Sequence, residues 1–190
     1  MIRDTQKHHR RSIRLRGYDY SQPGAYFVTI LTQDRHPLFG EIVDSVNRLS
    51  IIGDMVEHEW LRLELRFHNI TLDTYVIMHN YIHGIITLNE TCKGTGDSMD
   101  GSILEGIPRA LTVERFGAPT PGSIQTIIRS YKSSTTLRYH RMMGDITVRM
   151  WHRNYFEHNI RDERELERIR EYIQANPSFW MGDEEYVKST

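Results

Sequence analysis

Two strand-like segments joined by only two residues constrain the fold of this chain most strongly. NITLDTYVIM spans residues 69–78, YIHGIITL spans residues 81–88, and His79-Asn80 connects them. Both segments are rich in the β-branched and aromatic residues that favour strands. A parallel pair needs a crossover connection of about a dozen residues or more, so this short connection predicts an antiparallel pair. A central antiparallel sheet is therefore the predicted framework.

Other segments predict the elements that surround this sheet. Residues 25–32 follow the turn-forming Pro23-Gly24 and are typical of a strand, and residues 36–50 resemble a small hairpin. Apolar residues recur at helical spacing from about residue 50, and again from residue 124. Helices interleaved with a few strands indicate an α+β sandwich.

A last helix is bounded by clear signals. Asp162 and Glu165 form a capping box at its start, and Pro177 is predicted to stop it. The segment between residues 90 and 120 is punctuated by glycines and predicts a long, mobile loop. We expect a basic arm over residues 1–20, one domain over 21–180 and a tail over 181–190.

Charge is segregated along a nearly neutral chain. The formal net charge is -1, so no overall field draws the protein to nucleic acid or membrane. Residues 1–16 nevertheless carry six basic residues and one acid, and so do residues 123–153. Two such segments can form a polyanion-binding face, although either one alone is also typical of solvated surface.

Composition excludes several classes of protein. The single cysteine, Cys92, excludes an internal disulfide framework and a cysteine zinc cluster. No apolar run approaches the roughly 20 residues of a membrane span, and the N-terminus lacks the apolar segment of a signal peptide. We therefore expect a soluble, cytoplasmic protein.

The last helix carries two polar residues beside its apolar stripe. At 100° per residue, Asn176 falls about 20° from Ile169, and Tyr172 lies about 60° from it on the same side. Tyr172 and Asn176 are four residues apart, so their side chains can meet on a face that points at the sheet. Such a pair could be a nucleophile and a metal ligand. A tyrosine at the edge of a stripe is, however, commonly a packing residue, and an asparagine before proline commonly ends a helix.

The strand at residues 81–88 carries a second polar pair. Tyr81 and His83 are two residues apart and point to the same face of the sheet. A His-apolar-His triplet would offer two imidazoles to one divalent metal, but this chain has Tyr-Ile-His. A lone strand histidine is more often a hydrogen-bonded structural residue than a ligand.

Several segments together resemble one family. It is the REP-associated tyrosine transposases, a branch of the HUH superfamily of single-strand DNA transposases. The similar segments, in family order, are RRSIRLRGYDYSQPGAYFVTILTQDR, YVIMHNYIHGIITL, PGSIQTIIRSYKS and WHRNYFEHNIRDERELERIREYIQANP. The resemblance covers roughly residues 10–180 and is weakest across 90–120. It implies a ferredoxin-like sandwich: a central antiparallel sheet with helices on one face and a C-terminal helix that carries the nucleophile.

The resemblance also implies a chemistry. Tyr172 would attack a phosphodiester of single-stranded DNA, become linked to the 5′-phosphate and free a 3′-hydroxyl. A phenol has a pKa of about 10 and is a weak nucleophile near pH 7. A divalent ion, Mg²⁺ or Mn²⁺, would polarise the phosphate. The family positions that hold this ion correspond here to Tyr81, His83 and Asn176.

One departure from the family pattern bears on activity. The family has Met-Pro-Asn-His-apolar-His, whereas this chain has Met78-His79-Asn80-Tyr81-Ile82-His83. His79 could replace the missing ligand from the turn, or Tyr81 could bind through its oxygen. Alternatively, the site is damaged and the protein binds DNA without cutting it. Losing a ligand is expected to weaken metal binding about ten-fold or more.

The expected partner is single-stranded or hairpin DNA, bound by a monomer or homodimer at the nucleoid. Cationic side chains would contact its phosphates. The candidates are Arg10, Arg11, Arg14 and Arg16 in the arm, and Arg129, Lys132 and Arg138 in the helix from residue 124. A histidine-based metallohydrolase unrelated to transposition is disfavoured because it leaves Tyr172, Asn176 and the basic segments without a role.

Overall fold

A four-stranded antiparallel sheet forms the framework of the domain. The computed structural model describes residues 21–43, 46–90 and 120–179. The sheet has the order β4-β5-β1-β6, and a separate hairpin pairs β2 with β3. The strands are β1 (Gly24–Leu31), β2 (Gly40–Val43), β3 (Val46–Leu49), β4 (Ile70–Ile77), β5 (Tyr81–Leu88) and β6 (Phe156–Ile160). The helices are α1 (Ile51–Leu61), α2 (Leu63–Arg66), α3 (Ile124–Met143) and α4 (Glu163–Phe179).

The order of these elements matches the prediction. β1, α1, β4, β5, α3 and β6 follow the β-α-β-β-α-β order of a ferredoxin-like sandwich. The α+β class, the antiparallel sheet and the C-terminal helix are therefore confirmed. The predicted basic arm, the tail and nearly all of the 90–120 segment lie outside the described residues, so those predictions stay open. Within the described ranges, no helix has the length and apolar character needed to cross a membrane.

Helix boundaries follow from local hydrogen bonds, with one exception. Ser50 Oγ accepts the Gly53 N–H at 3.1 Å at the start of α1, and Asp162 Oδ1 accepts the Glu165 N–H at 2.8 Å at the start of α4. The prediction that Pro177 stops the last helix was wrong, because α4 continues to Phe179. Proline removes only one donor there, and the preceding turn is held on the sheet by Ile173 and Asn176, which are both buried.

The two faces of the sheet bury different residues, since side chains alternate along each strand. One face packs against α1 and α3 and forms the larger core, in which the rings of Trp60 and Tyr131 meet edge-on at 5.4 Å. Gly84 in β5 lies directly beneath Trp60, and a Cβ atom there would collide with the indole ring. The other face packs against α4 through a smaller cluster centred on Ile85, Ile160 and Ile173.

Candidate active site

A tyrosine of α4 meets a histidine of β5 on the smaller face. His83 is buried, and the register pairs it with Thr29 of β1. Thr29 Oγ1 lies 2.9 Å from His83 Nδ1 and thereby orients the imidazole ring. The other ring nitrogen, Nε2, lies 3.3 Å from the hydroxyl of Tyr172. One hydrogen-bonded chain therefore links β1, β5 and α4.

Tyr172 lies at the margin of this interface rather than beneath the helix. Its side chain is 47% exposed, so the expectation that it faces the sheet and not water was only half right. The reason is its angular position about 60° from Ile169, at the edge of the apolar stripe. Its ring packs against His83 at 5.4 Å and edge-on against Phe27 at 6.3 Å. A large substrate can therefore approach the hydroxyl from solvent.

A second tyrosine closes the interior side of the site. Tyr81 is fully buried, and its hydroxyl donates a hydrogen bond of 2.7 Å to Asn176 Oδ1. The Tyr81 and His83 rings are 4.6 Å apart on the same face of β5. The structure thus brings four of the residues singled out from the sequence together: Tyr81, His83, Tyr172 and Asn176.

His79 lies in the turn between β4 and β5. Its ring centroid is 6.2 Å from that of Tyr81. Its carbonyl oxygen accepts the Phe39 N–H at 2.9 Å, which ties the turn to the segment before β2. His79 therefore lies next to Tyr81, as expected for a residue from the turn, and its role as a ligand stays a prediction.

The donor atoms of this site are one imidazole nitrogen, one amide oxygen and phenol oxygens. Within the described ranges, no group of three or more His, Cys, Asp and Glu side chains could hold a metal ion. Asn176 Oδ1 already accepts a hydrogen bond from the Tyr81 hydroxyl. These uncharged donors fit a divalent ion that takes most of its ligands from water and phosphate oxygens. They do not fit an ion held by protein atoms alone.

An ion pair anchors α4 to the edge of the sheet. Arg170 binds Asp73 of β4 with both Nε and Nη2, and the shortest distance is 2.7 Å. These hydrogen bonds lower the pKa of the Asp73 carboxyl and raise the pKa of Arg170. Arg170 Nη1 also contacts Glu167 at 3.1 Å and Glu163 at 3.4 Å.

The three cationic candidates of α3 differ in their surroundings. Arg129 is exposed. Lys132 Nζ donates to the carbonyl oxygens of residues 152–154 at 2.8–3.4 Å, and burial lowers its pKa to about 8. Arg138 Nε lies 2.9 Å from the buried carboxylate of Glu59. Lys132 and Arg138 thus have partners inside the domain, and their contact with DNA stays a prediction, as does that of Arg129. The four arginines of the arm lie outside the described residues.

Sequence reasoning missed the residues that orient the site. Thr29, Phe27, Asp73 and Arg170 were not singled out, although each contacts the site or its helix. The alternation of β1 gives Phe27 and Thr29 one common face, but only the pairing register places Thr29 opposite His83. Asp73 and Arg170 are 97 residues apart, and no local pattern joins them.

Comparisons with known proteins come from sequence and structure. No family model matches the chain. An uncharacterized protein of Haemophilus influenzae is 38% identical over 183 residues, which cover 95% of this chain and 94% of the relative. The structure of a REP-associated tyrosine transposase bound to a REP hairpin superimposes with a TM-score of 0.55 at 17% identity. That match covers 88% of this chain and 73% of the transposase.

The structural match covers most of the chain but is not accompanied by close sequence similarity. At 17% identity, it shows that the two chains share a fold. The Haemophilus influenzae match is of another kind, because it combines 38% identity with nearly complete coverage of both chains. The chain has a transposase-like fold and belongs to the same family as the Haemophilus influenzae protein.

Proposed function

We propose that the protein is a single-stranded DNA endonuclease and strand transferase with Tyr172 as its nucleophile. The observation that carries this proposal is the 3.3 Å contact between the Tyr172 hydroxyl and His83 Nε2 on a half-exposed edge of α4. A solvent-accessible phenol held beside a buried, oriented imidazole is an arrangement suited to nucleophilic attack.

The proposed step exchanges one phosphoester for another. The Tyr172 oxygen forms a bond to the scissile phosphorus, the bond from phosphorus to the 3′-oxygen breaks, and a 5′-phosphotyrosine results. The phenol proton is released to water, and the departing 3′-oxygen takes up a proton from water. Thr29 keeps His83 oriented, so Nε2 stays within reach of the reacting hydroxyl. A Mg²⁺ or Mn²⁺ ion would be held by His83 and Asn176, with Tyr81 or His79 beside it. Because Thr29 occupies Nδ1, the ion would take the place of the Tyr172 hydroxyl at His83 Nε2, and it would stabilise charge on the phosphate.

Hairpin DNA is the proposed substrate. The transposase of the same fold is bound to a REP hairpin, and a hairpin offers both a duplex stem and unpaired flanks. Phe156 of β6 is the cross-strand partner of Thr29, and its ring is 47% exposed on the face of the site. An unpaired base could stack on it. Arg129 and the arginines of residues 10–16 would contact phosphates, in a monomer or homodimer working at the bacterial nucleoid.

A second candidate function is binding of hairpin DNA without cleavage. The observation that favours it is the buried hydrogen bond between Tyr81 and Asn176. Tyr81 occupies the position of the first ligand histidine in the REP-associated tyrosine transposases. Its hydroxyl donates to Asn176 Oδ1, the oxygen that would otherwise face the ion. If this bond persists when DNA is bound, the phosphate is not activated.

A covalent-adduct assay decides between these functions. The protein is incubated with end-labelled hairpin DNA that carries single-stranded flanks, in the presence of Mn²⁺, and resolved on a denaturing gel. We expect an adduct that Tyr172→Phe reduces more than about 10³-fold, while hairpin affinity measured by gel shift stays within about two-fold. Tyr131→Phe is a matched control because that hydroxyl lies in the opposite core. Cleavage that survives Tyr172→Phe would refute the mechanism, and binding with no adduct would favour the second function.

A further inference from the structure

We propose that the Asp73–Arg170 ion pair sets the rotation of α4 about its own axis and so positions Tyr172 against His83. This inference rests on the proposed function for its consequence in catalysis. Its structural core, the placement of the Tyr172 hydroxyl, does not depend on DNA. Asp73 and Arg170 are positioning residues, since their described contacts are with one another and with neighbouring side chains rather than with the reacting atoms.

The strand supplies Asp73 through an irregularity. The register between β4 and β5 shifts between Leu72 and Tyr75, which marks a β-bulge at residues 73–74. Bulges redirect side chains and are over-represented near active sites. Here the Asp73 carboxylate is steadied by Thr74, whose N–H and hydroxyl donate to Oδ1 at 2.6 and 3.0 Å. Asp73 therefore presents a fixed acceptor to α4 rather than a freely rotating one.

The helix places Arg170 and Tyr172 on opposite sides of its buried stripe. At 100° per residue, Arg170 lies about 60° from Ile173 on one side, and Tyr172 lies about 60° from Ile169 on the other. Rotating α4 in the direction that buries Tyr172 more deeply would pull Arg170 away from Asp73, and the reverse rotation would lift Tyr172 off His83. Both contacts are satisfied at one rotation of the helix.

The apolar stripe alone fixes this rotation weakly. The cluster beneath α4 has three buried members, Ile85, Ile160 and Ile173, with partly buried neighbours. Apolar contacts are not directional, so a small cluster tolerates rolling of the helix. Arginine binds a carboxylate in a planar, two-pronged geometry that is directional. The side chains of Asp73 and Arg170 are 22% and 29% exposed, which shields the pair from full screening by solvent.

The Tyr81–Asn176 bond complements the ion pair from the far end of the helix. Asn176 lies six residues after Arg170, so the two anchors bracket Tyr172. The Tyr81 bond holds the last turn down on the sheet, and the Asp73 bond resists rolling. The two anchors thus restrain different motions of the same helix, and removing the Asp73 bond should displace Tyr172 without releasing α4.

The test compares the placement of Tyr172 with the rate of adduct formation. The variants are Asp73→Ala, Arg170→Met, their double variant and Arg170→Lys, with Glu167→Gln as control. Glu167 contacts the same guanidinium but is 60% exposed. The first readout is the ¹⁵N chemical shift of His83 Nε2 in the DNA-free protein, calibrated by Tyr172→Phe. The second is the adduct rate at saturating hairpin DNA, with thermal melting as a folding check.

We expect Asp73→Ala and Arg170→Met to move the His83 Nε2 shift toward that of Tyr172→Phe and to lower the adduct rate about 10- to 100-fold. The double variant should lose no more adduct rate than either single variant, because each substitution removes the same ion pair. Arg170→Lys should recover part of the rate lost in Arg170→Met, and Glu167→Gln should match the native protein. Hairpin affinity should stay unchanged.

Two results would overturn the proposal. The first is a lowered melting temperature in Asp73→Ala and Arg170→Met with native His83 signals and native rate, which would mean that the pair only stabilises the fold. The second is additive loss in the double variant. If the native protein forms no adduct at all, the proposed function fails separately, and the His83 shift still decides whether the ion pair positions Tyr172. If Asp73→Ala does not fold, Arg170→Met and Arg170→Lys carry the comparison.

Discussion

The two faces of the sheet are built from the same strands but differ in the side chains that they carry. On the face toward α1 and α3, β5 contributes Ile82, Gly84 and Ile86 to a continuous apolar core. On the face toward α4, the alternate residues are Tyr81, His83 and Ile85, and the first two make polar contacts with the helix. A single eight-residue strand thus presents apolar packing residues to one side and polar side chains to the other.

The contrast shows how a small domain can carry polar side chains on one face of its sheet while the other face forms the larger apolar core. The large core supports the sheet, so the smaller face needs to hold only one helix. That helix is held by Ile173, the Asp73–Arg170 pair and the Tyr81–Asn176 bond. Substitutions on the two faces should therefore separate stability from activity.

The largest effect on stability is expected when buried apolar side chains are truncated. Truncating one such residue on each face tests whether the two faces contribute separately to stability and to activity. Ile86 and Ile173 are both fully buried, in the larger and the smaller cluster respectively. Each change to alanine should lower the free energy of unfolding by about 2–5 kcal/mol, measured by urea titration. Only Ile173→Ala should also slow adduct formation, because Ile173 adjoins Tyr172 on the helix.

The comparison requires both variants to be folded during the adduct assay, which is checked by circular dichroism under the assay conditions. Ile86→Ala should then retain the native rate within about three-fold, since additivity holds for sites without shared partners. An equal loss of rate in the two variants would show that the faces are coupled through β5, and the division of work would be wrong.

The framework was predictable because its signals are local. The two-residue connection at His79-Asn80 gave the antiparallel pair of β4 and β5, and Asp162 gave the start of α4. The helical spacing of apolar residues from residue 124 likewise predicted α3, in which Ile124, Ile128 and Tyr131 are all buried. In each case the residues that carry the signal lie within a few turns or one connection of one another.

The sequence indicated which residues belong to the site but not how they contact one another. Tyr81 and Asn176 are 95 residues apart, and nothing local indicates that the hydroxyl of one meets the amide of the other. The role of Thr29 depends on the register between β1 and β5. The β-bulge that directs Asp73 toward Arg170 contains no glycine or proline from which it could have been predicted. Long-range pairing and register therefore account for what the sequence left undetermined.

A smaller effect on stability is expected when the buried Tyr81 hydroxyl is removed. Variants at this position also test whether residue 81 only holds α4 on the sheet or contributes to ion binding. Tyr81→Phe leaves Asn176 Oδ1 without that donor and should cost about 1–3 kcal/mol of stability. Tyr81→His restores the His-apolar-His pattern and should raise Mn²⁺ affinity about ten-fold or more, measured by Mn²⁺ electron paramagnetic resonance. Equal Mn²⁺ affinity in the native, Phe and His forms would show that this position does not contribute to ion binding.

The smallest expected effect is a pH dependence of the unfolding free energy that arises from Asp73 on the α4 face of the sheet. The pKa of Asp73 is lowered in the folded protein, chiefly by its hydrogen bond from Arg170. A depressed carboxyl pKa contributes stability above the unfolded value, about 3.9, and this contribution is lost as pH falls through the folded value. The difference in unfolding free energy between the native protein and Asp73→Asn should thus be constant from pH 7 to about pH 5. It should shrink only below about pH 4.

Thermal melting of both proteins at intervals from pH 7 to pH 3 measures this difference. Glu163 and Glu167, which also contact Arg170, are retained in both proteins, so their titration largely cancels in the comparison. A difference that already disappears between pH 6 and pH 5 would mean that Arg170 does not favour the charged form of Asp73. The position of α4 would then depend on its apolar cluster and on the Tyr81–Asn176 hydrogen bond rather than on charge.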